Sequence, residues 1–109
     1  MSITADITLI QPIPMQRDEQ GYWSHPGIPD FDEDDKAYKA WLKAQDLEIR
    51  YTMLEDEPDD HPVRYCYFEE ECGDVSAWVV PPPRGEGWFA ITIHDTEDGP
   101  VWVWARRGQ

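Results

Sequence analysis

The apolar positions change period several times along the chain, and each period predicts an element. Residues 3–10 (ITADITLI) form a largely apolar, β-branched run that predicts a first strand. It stops at Gln11-Pro12-Ile13-Pro14, because each proline removes a ladder donor. Residues 15–29 lose the pattern. Gly21, Pro26, Gly27 and Pro29 punctuate them, so they are expected to be irregular, with Tyr22 and Trp23 covering the core. Phe31, Tyr38, Trp41 and Leu42 then fall on one helical stripe, with Lys36, Lys39 and Lys43 on the polar side. Asp30 is the expected N-cap, Glu33 completes a capping box, and the helix is expected to end near Gln45.

Strand periodicity returns at residues 48–54, where Ile49, Tyr51 and Met53 alternate with Glu48, Arg50 and Thr52. The segment 55–62 (EDEPDDHP) reads as a solvated loop. Residues 63–69 (VRYCYFE) predict another strand, with Val63, Tyr65 and Tyr67 on one face and Arg64, Cys66 and Phe68 on the other. Residues 69–73 make an acidic turn, and residues 75–80 predict a short strand cut off by Pro81-Pro82-Pro83. The clearest hairpin joins residues 88–94 to residues 101–107. Pro100 cannot donate the bond that closes an Asp98-Gly99 turn, so a type I turn at Glu97-Asp98 with a left-handed Gly99 and a bulge is expected. Phe89, Ile91 and Ile93 are expected on one face of its first strand. On the second strand, Val101, Val103 and Ala105 oppose Trp102, Trp104 and Arg106. With both faces apolar, the hairpin must be central or covered on each side. The sum is an α+β fold: one main helix packed on an antiparallel sheet of four to six strands, with a C-terminal hairpin.

Length changes this picture little: 109 residues fit a single domain, 1–109, with a real core. An aromatic content of 13% argues for a folded chain despite the charge. No apolar run approaches a membrane span, and the N-terminus has neither a basic n-region nor a long h-region, so no signal peptide is read. Cys66 and Cys72 are too few for a disulfide scaffold. A cytoplasmic protein with both thiols reduced is the expectation.

Charge alters the picture most. The net charge is −14, and sixteen of the 23 carboxylates lie between Asp30 and Asp74 among only five lysines and arginines. Three blocks dominate: Asp30, Asp32, Glu33, Asp34 and Asp35; Glu55, Asp56, Glu57, Asp59 and Asp60; and Glu69, Glu70, Glu71 and Asp74. Such a field repels nucleic acid and anionic membranes and attracts cationic protein surfaces or metal ions.

Candidate chemistry is sparse. Asp30-x-Asp32-x-Asp34 opens like a calcium loop, but the sixth position is Asp35 rather than Gly and the twelfth is Trp41 rather than Glu. His61, Cys66, Cys72 and His94 lack zinc-ligand spacing. No phosphate-binding glycine loop or nucleophile elbow occurs. No cofactor is therefore expected. Arg84, Arg106 and Arg107 beside Trp102 and Trp104 are too few to hold nucleic acid directly. Duplex DNA carries one charge per about 1.7 Å of axis, and clustered carboxylates on a small domain approach that density. The acidic blocks thus point to a basic protein surface as partner, one built to accept nucleic acid.

The segments GYWSHPGIPDFDED (21–34) and GEGWFAITIHDTEDGPVWVWAR (85–106) resemble small acidic accessory proteins of phages and prophages of Gram-negative bacteria. That family has no assigned activity, so no site residue follows from it. The resemblance implies a host-cytoplasmic accessory factor, in a setting where acidic proteins inhibit restriction or CRISPR defence by imitating DNA. The expectation is a non-enzymatic acidic binding protein of this kind. Two alternatives stay open: an acidic metal-binding or hydrolytic protein using His61, His94 and neighbouring carboxylates, and a phage structural protein that self-associates through Trp88, Trp102 and Trp104.

Overall fold

The C-terminal hairpin organises everything else. In the computed structural model, which describes residues 9–31 and 34–107, β3 (Phe89–Thr96) and β4 (Gly99–Arg107) form the centre of a four-stranded antiparallel sheet. The short β1 (Trp23–Ser24) pairs with β3, and β2 (Leu47–Met53) pairs with β4, giving the order β1-β3-β4-β2. Two helices, α1 (Asp35–Ala44) and α2 (Pro62–Phe68), complete an α+β fold. The expected turn at Glu97-Asp98 is present, with Thr96 facing Gly99 across it and Gly99 at φ +105°. The register then runs straight on, with the buried Pro100 opposite Asp95, so the bulge expected at the turn is absent there. Thr96 Oγ1 accepts from Asp98 N at 3.1 Å and donates to Gly99 O at 2.7 Å, which fixes the turn from inside.

The register slips between Ala90 and Thr92, so Ile91 is an extra residue in β3. An inserted residue inverts the alternation beyond it. Ile91 and Phe89 pack with Ile10, Val101, Val103 and Ala105, whereas Ile93 packs with Trp102 on the other side. The expected single face of Phe89, Ile91 and Ile93 is therefore split. The bulged residue's carbonyl is not wasted, because it accepts from His25 N at 2.7 Å and extends the sheet edge. Both faces of the hairpin are covered, as its two apolar faces require. Trp41 of α1, with Leu47 and Ile49, packs on one cluster. Leu54, Val63, Val75, Trp78 and Val80 form the other with Ile93 and Trp102.

Local chemistry sets the helix ends. Asp34, not Asp30, caps α1, accepting from Ala37 N at 3.0 Å. Phe31 stays outside the helix, yet its ring meets Tyr38 at 5.6 Å and Trp41 at 5.8 Å, so the aromatic stripe survives the later start. Gln45 closes the helix, and Asp46 reverses the chain at φ +57°.

Residues 63–69 are not a strand. Pro62 occupies the first turn of α2, and His61 Nδ1 accepts from Val63 N at 3.2 Å. Val63 and Tyr67, four apart, face the core on one side of that helix. Nor do residues 75–80 form a strand. Val75, Trp78 and Val80 are buried in an irregular segment held by Arg17, whose guanidinium donates to Gly21 O (2.8 Å), Val75 O (2.7 Å) and Trp78 O (2.9 Å). The same guanidinium lies 5.0 Å from the Trp102 ring centroid. A second arginine ties the N-terminal segment down: Arg107 donates to Ile10 O and to Gln45, while Ile10 N donates to Gln45 Oε1. Of the first expected strand, residues 3–8 lie outside the described residues, and Leu9 and Ile10 are not in a strand.

Cys66 and Cys72 are joined in a disulfide, which corrects the expectation of two reduced thiols. With residues 62–68 helical, the chain turns back through Glu71 and Gly73, both at positive φ, and returns Cys72 to Cys66. Among the described residues, no helix is long and apolar enough to cross a membrane.

Candidate acidic interface

The three acidic blocks do not share one side of the sheet. Asp34 and Asp35 begin α1, which packs on the Val101, Val103 and Ala105 face. Blocks two and three flank α2, which packs on the Trp102 face. Asp30 is exposed ahead of α1, and Asp32 and Glu33 lie outside the described residues. Asp35 is paired with Lys39 at 3.1 Å, an exposed pair of little energetic weight.

Several predicted site carboxylates turn out to hold the fold. Asp34 caps a helix. Glu57, half-buried, accepts from Trp78 Nε1 at 2.9 Å and lies 4.0 Å from His61 Nε2. Asp74 accepts from Ser76 N at 2.8 Å, and that bonding, with Arg17 nearby, holds its carboxyl below the usual range. Asp59 meets Arg64 at 3.2 Å. The others, Glu55, Asp56, Asp60, Glu69, Glu70 and Glu71, are exposed and form no side-chain ion pair among the described residues.

The hairpin tip adds three carboxylates that sequence reading treated only as a turn. Glu55, Asp95, Glu97 and Asp98 surround a shallow cleft of about 470 Å³ floored by Tyr67 and Phe68. Tyr67 donates to Asp95 at 3.1 Å, and burial together with that carboxylate pushes its phenol pKa up. Burial, with Tyr67 and Asp95 beside it, raises Tyr22 in the same way, so both phenols remain protonated. Glu71 lines a second shallow recess with Tyr67 and Gly73. Residues 55–74 and 95–98, which meet at Tyr67 and Phe68, hold twelve carboxylates and one arginine, Arg64, with Arg17 approaching from outside them beside Asp74. The signal in the sequence was the acidic turn itself, read without its neighbours.

Positive charge sits elsewhere. Lys36, Lys39 and Lys43 follow α1, and Arg50 and Arg106 converge on Glu48 at 2.8 and 2.9 Å, holding that carboxyl low. Arg106 also stacks over Trp88 at 4.6 Å. The proposed tryptophan interface is largely consumed inside the chain. Trp102 is 3% exposed and packs edge-on against Trp78, and its Nε1 and that of Trp104 are buried without a hydrogen-bond partner among the described residues. Both cysteines are in the disulfide, so neither is a free thiolate nucleophile or metal ligand. Among the described residues, no three of His, Cys, Asp and Glu gather as a metal site.

What fold and surface together define is a small α+β protein with one strongly acidic pole. No protein-family model matches the chain, and no curated protein or solved structure shows significant similarity to it.

Proposed function

We propose that this is a non-enzymatic binding protein whose acidic pole engages a basic protein surface of the kind that accepts nucleic acid. The observation that carries the reading is the asymmetry of charge: twelve carboxylates around α2 and the hairpin tip, met by Arg64 and, at Asp74, by Arg17. Such a field accelerates encounter with a cationic groove and weakens steeply with salt. In its sharper form the pole stands in for phosphates and blocks a groove on a host-defence complex, in keeping with the phage-like segments. Asp35 and its neighbours on the opposite face would extend the field without joining the contact.

The test uses a quadruple variant, Asp56→Lys, Asp60→Lys, Glu70→Lys and Asp98→Lys, which spares the structural Glu57 and Asp74. Immobilised native protein is expected to retain DNA-binding proteins at low ionic strength and release them to added duplex DNA, and the variant to retain none. Capture that survives both the reversal and the competing DNA sinks the proposal.

A further inference from the structure

A second cavity, about 350 Å³, lies away from the acidic pole, between α1 and the β1–β3 edge. Its walls are apolar: Ile28, Phe31 and Tyr38. The sheet side is not. Ser24 Oγ lies 2.9 Å from Thr92 Oγ1, which lies 2.9 Å from His94 Nδ1, so three side chains of adjacent strands form one hydrogen-bonded row. Thr92 is only 6% exposed, and His94 is held below its ordinary pKa by desolvation, with Asp95 opposing, so the imidazole is neutral near pH 7. A neutral imidazole lets the row run in either direction, leaving Ser24 Oγ and His94 Nε2 as ends that give or accept a proton bond. Asp34 and Asp35 complete the lining, Asp34 as the α1 cap that accepts from Ala37 N and Asp35 in its pair with Lys39. A largely apolar pocket with a few convergent polar groups is the usual form of a small-molecule site.

We propose that this cavity binds a small organic amine: an apolar or aromatic body against Ile28, Phe31 and Tyr38, a protonated nitrogen facing Asp34 and Asp35, and a polar substituent against the Ser24–Thr92–His94 row. Three features select that class. The negative charge of Asp34 at the lining disfavours an anion of the same size, while that of Asp35 is offset by Lys39. The aromatic wall of Phe31 and Tyr38, whose rings meet edge-on at 5.6 Å while Tyr38 also stacks on Trp41, attracts a cation more than a neutral group. The volume is at the lower end for small-molecule sites, which favours a ligand of roughly ten to fifteen non-hydrogen atoms. The site is separate from the acidic pole, so it does not depend on that surface binding a protein.

The experiment is an amide-resolved NMR titration of the native chain with 2-phenylethylamine and, separately, phenylacetate, which has the opposite charge on a similar frame. Saturable shifts at Tyr38, Thr92 and His94 are expected with the amine, at a dissociation constant of about 1 mM or tighter, and none with the acid. The double variant Asp34→Asn and Asp35→Asn is expected to weaken the amine roughly tenfold while keeping the helix, because Asn caps as well as Asp. Thr92→Val, which breaks the row without changing its shape, should lower affinity for tyramine more than for 2-phenylethylamine. A third variant, Asp60→Asn and Asp98→Asn, removes the same charge from the far face and should leave affinity unchanged. Equal responses to amine and acid, an absence of saturable shifts, or equal weakening by the far-face variant would each overturn the proposal.

Discussion

Replacing Arg17 by lysine isolates the contact that holds residues 75–80 onto the sheet. Lysine keeps the charge, so any loss reports geometry rather than a change in a chain already at −14. The guanidinium reaches three carbonyls 2.7–2.9 Å away, on Gly21, Val75 and Trp78, and also lies over Trp102. An ammonium on a flexible stem satisfies one of them well and leaves two without that donor. Val75 and Trp78 are both 0% exposed, so their carbonyls have little recourse to water. Hydrogen bonds to a charged partner contribute about 1.5–3 kcal/mol each. Arg17 is only half-buried, which favours the low end, so losing two costs about 3 kcal/mol. Against a total of roughly 5–15 kcal/mol for a domain of this size, that is a large fraction. Urea unfolding followed by tryptophan fluorescence should show it, with a fall in Tm of roughly 12 °C or more. A variant within about 0.5 kcal/mol of the native chain would refute the anchoring role.

Gly99→Ala should cost about 1–3 kcal/mol, since its φ of +105° strains any side chain and the new Cβ would come 2.8 Å from Phe68 Cζ. Gly87→Ala, at φ +85° with open space around it, carries the backbone strain alone, and equal losses in urea unfolding would remove any role for the Phe68 contact. For His94, the folded pKa lies below the ordinary 6.5, so the unfolded chain binds more protons in that interval and stability falls as pH drops through it. Between about pH 7.5 and 5.5 the native chain should therefore lose more stability than His94→Gln, and equal slopes would refute the assignment.

The two faces of the C-terminal hairpin were legible because Trp102 and Val103 alternate on β4 without interruption, and that alone placed the hairpin at the centre of the sheet. The bulge at Ile91 was not, since one inserted residue inverts a face without changing composition. Residues 63–69 failed for a different reason. Seven residues fit both periods: Val63, Tyr65 and Tyr67 alternate, yet Val63 and Tyr67 also share a helical face. The deciding signal was Pro62, which suits the first turn of a helix and weakens a strand. The disulfide was missed for another reason: two cysteines were too few to read as a scaffold, whereas here the end of α2 and the turn after it bring Cys72 back to Cys66. Arg17 carried no signal at all. A lone arginine in an irregular stretch declares nothing until the carbonyls it serves are in place. For the site, the acidity was read from the sequence, but its division between two faces and its extension to Asp95, Glu97 and Asp98 depended on topology.

The arrangement of charge is harder to explain by solubility than by recognition. Carboxylates that serve the fold are few and dispersed: Asp18, Asp34, Glu48, Glu57 and Asp74 each accept specific bonds. Most of those on the pole accept none among the described residues, and they repel one another. Two unit charges about 10 Å apart in water oppose each other by about 0.4 kcal/mol before screening, and a dozen on one pole make many such pairs. Salt damps this beyond a Debye length of about 8 Å but leaves near neighbours in the blocks exposed to one another. Solubility needs only a net charge, and interspersed signs supply it at lower cost. Here the lysines of α1 and the arginines near β2 lie apart from the pole, and only Arg64 and, beside Asp74, Arg17 offset it. A surface that keeps its charges together, at some expense to stability, has the form expected of one that meets an equally concentrated positive surface.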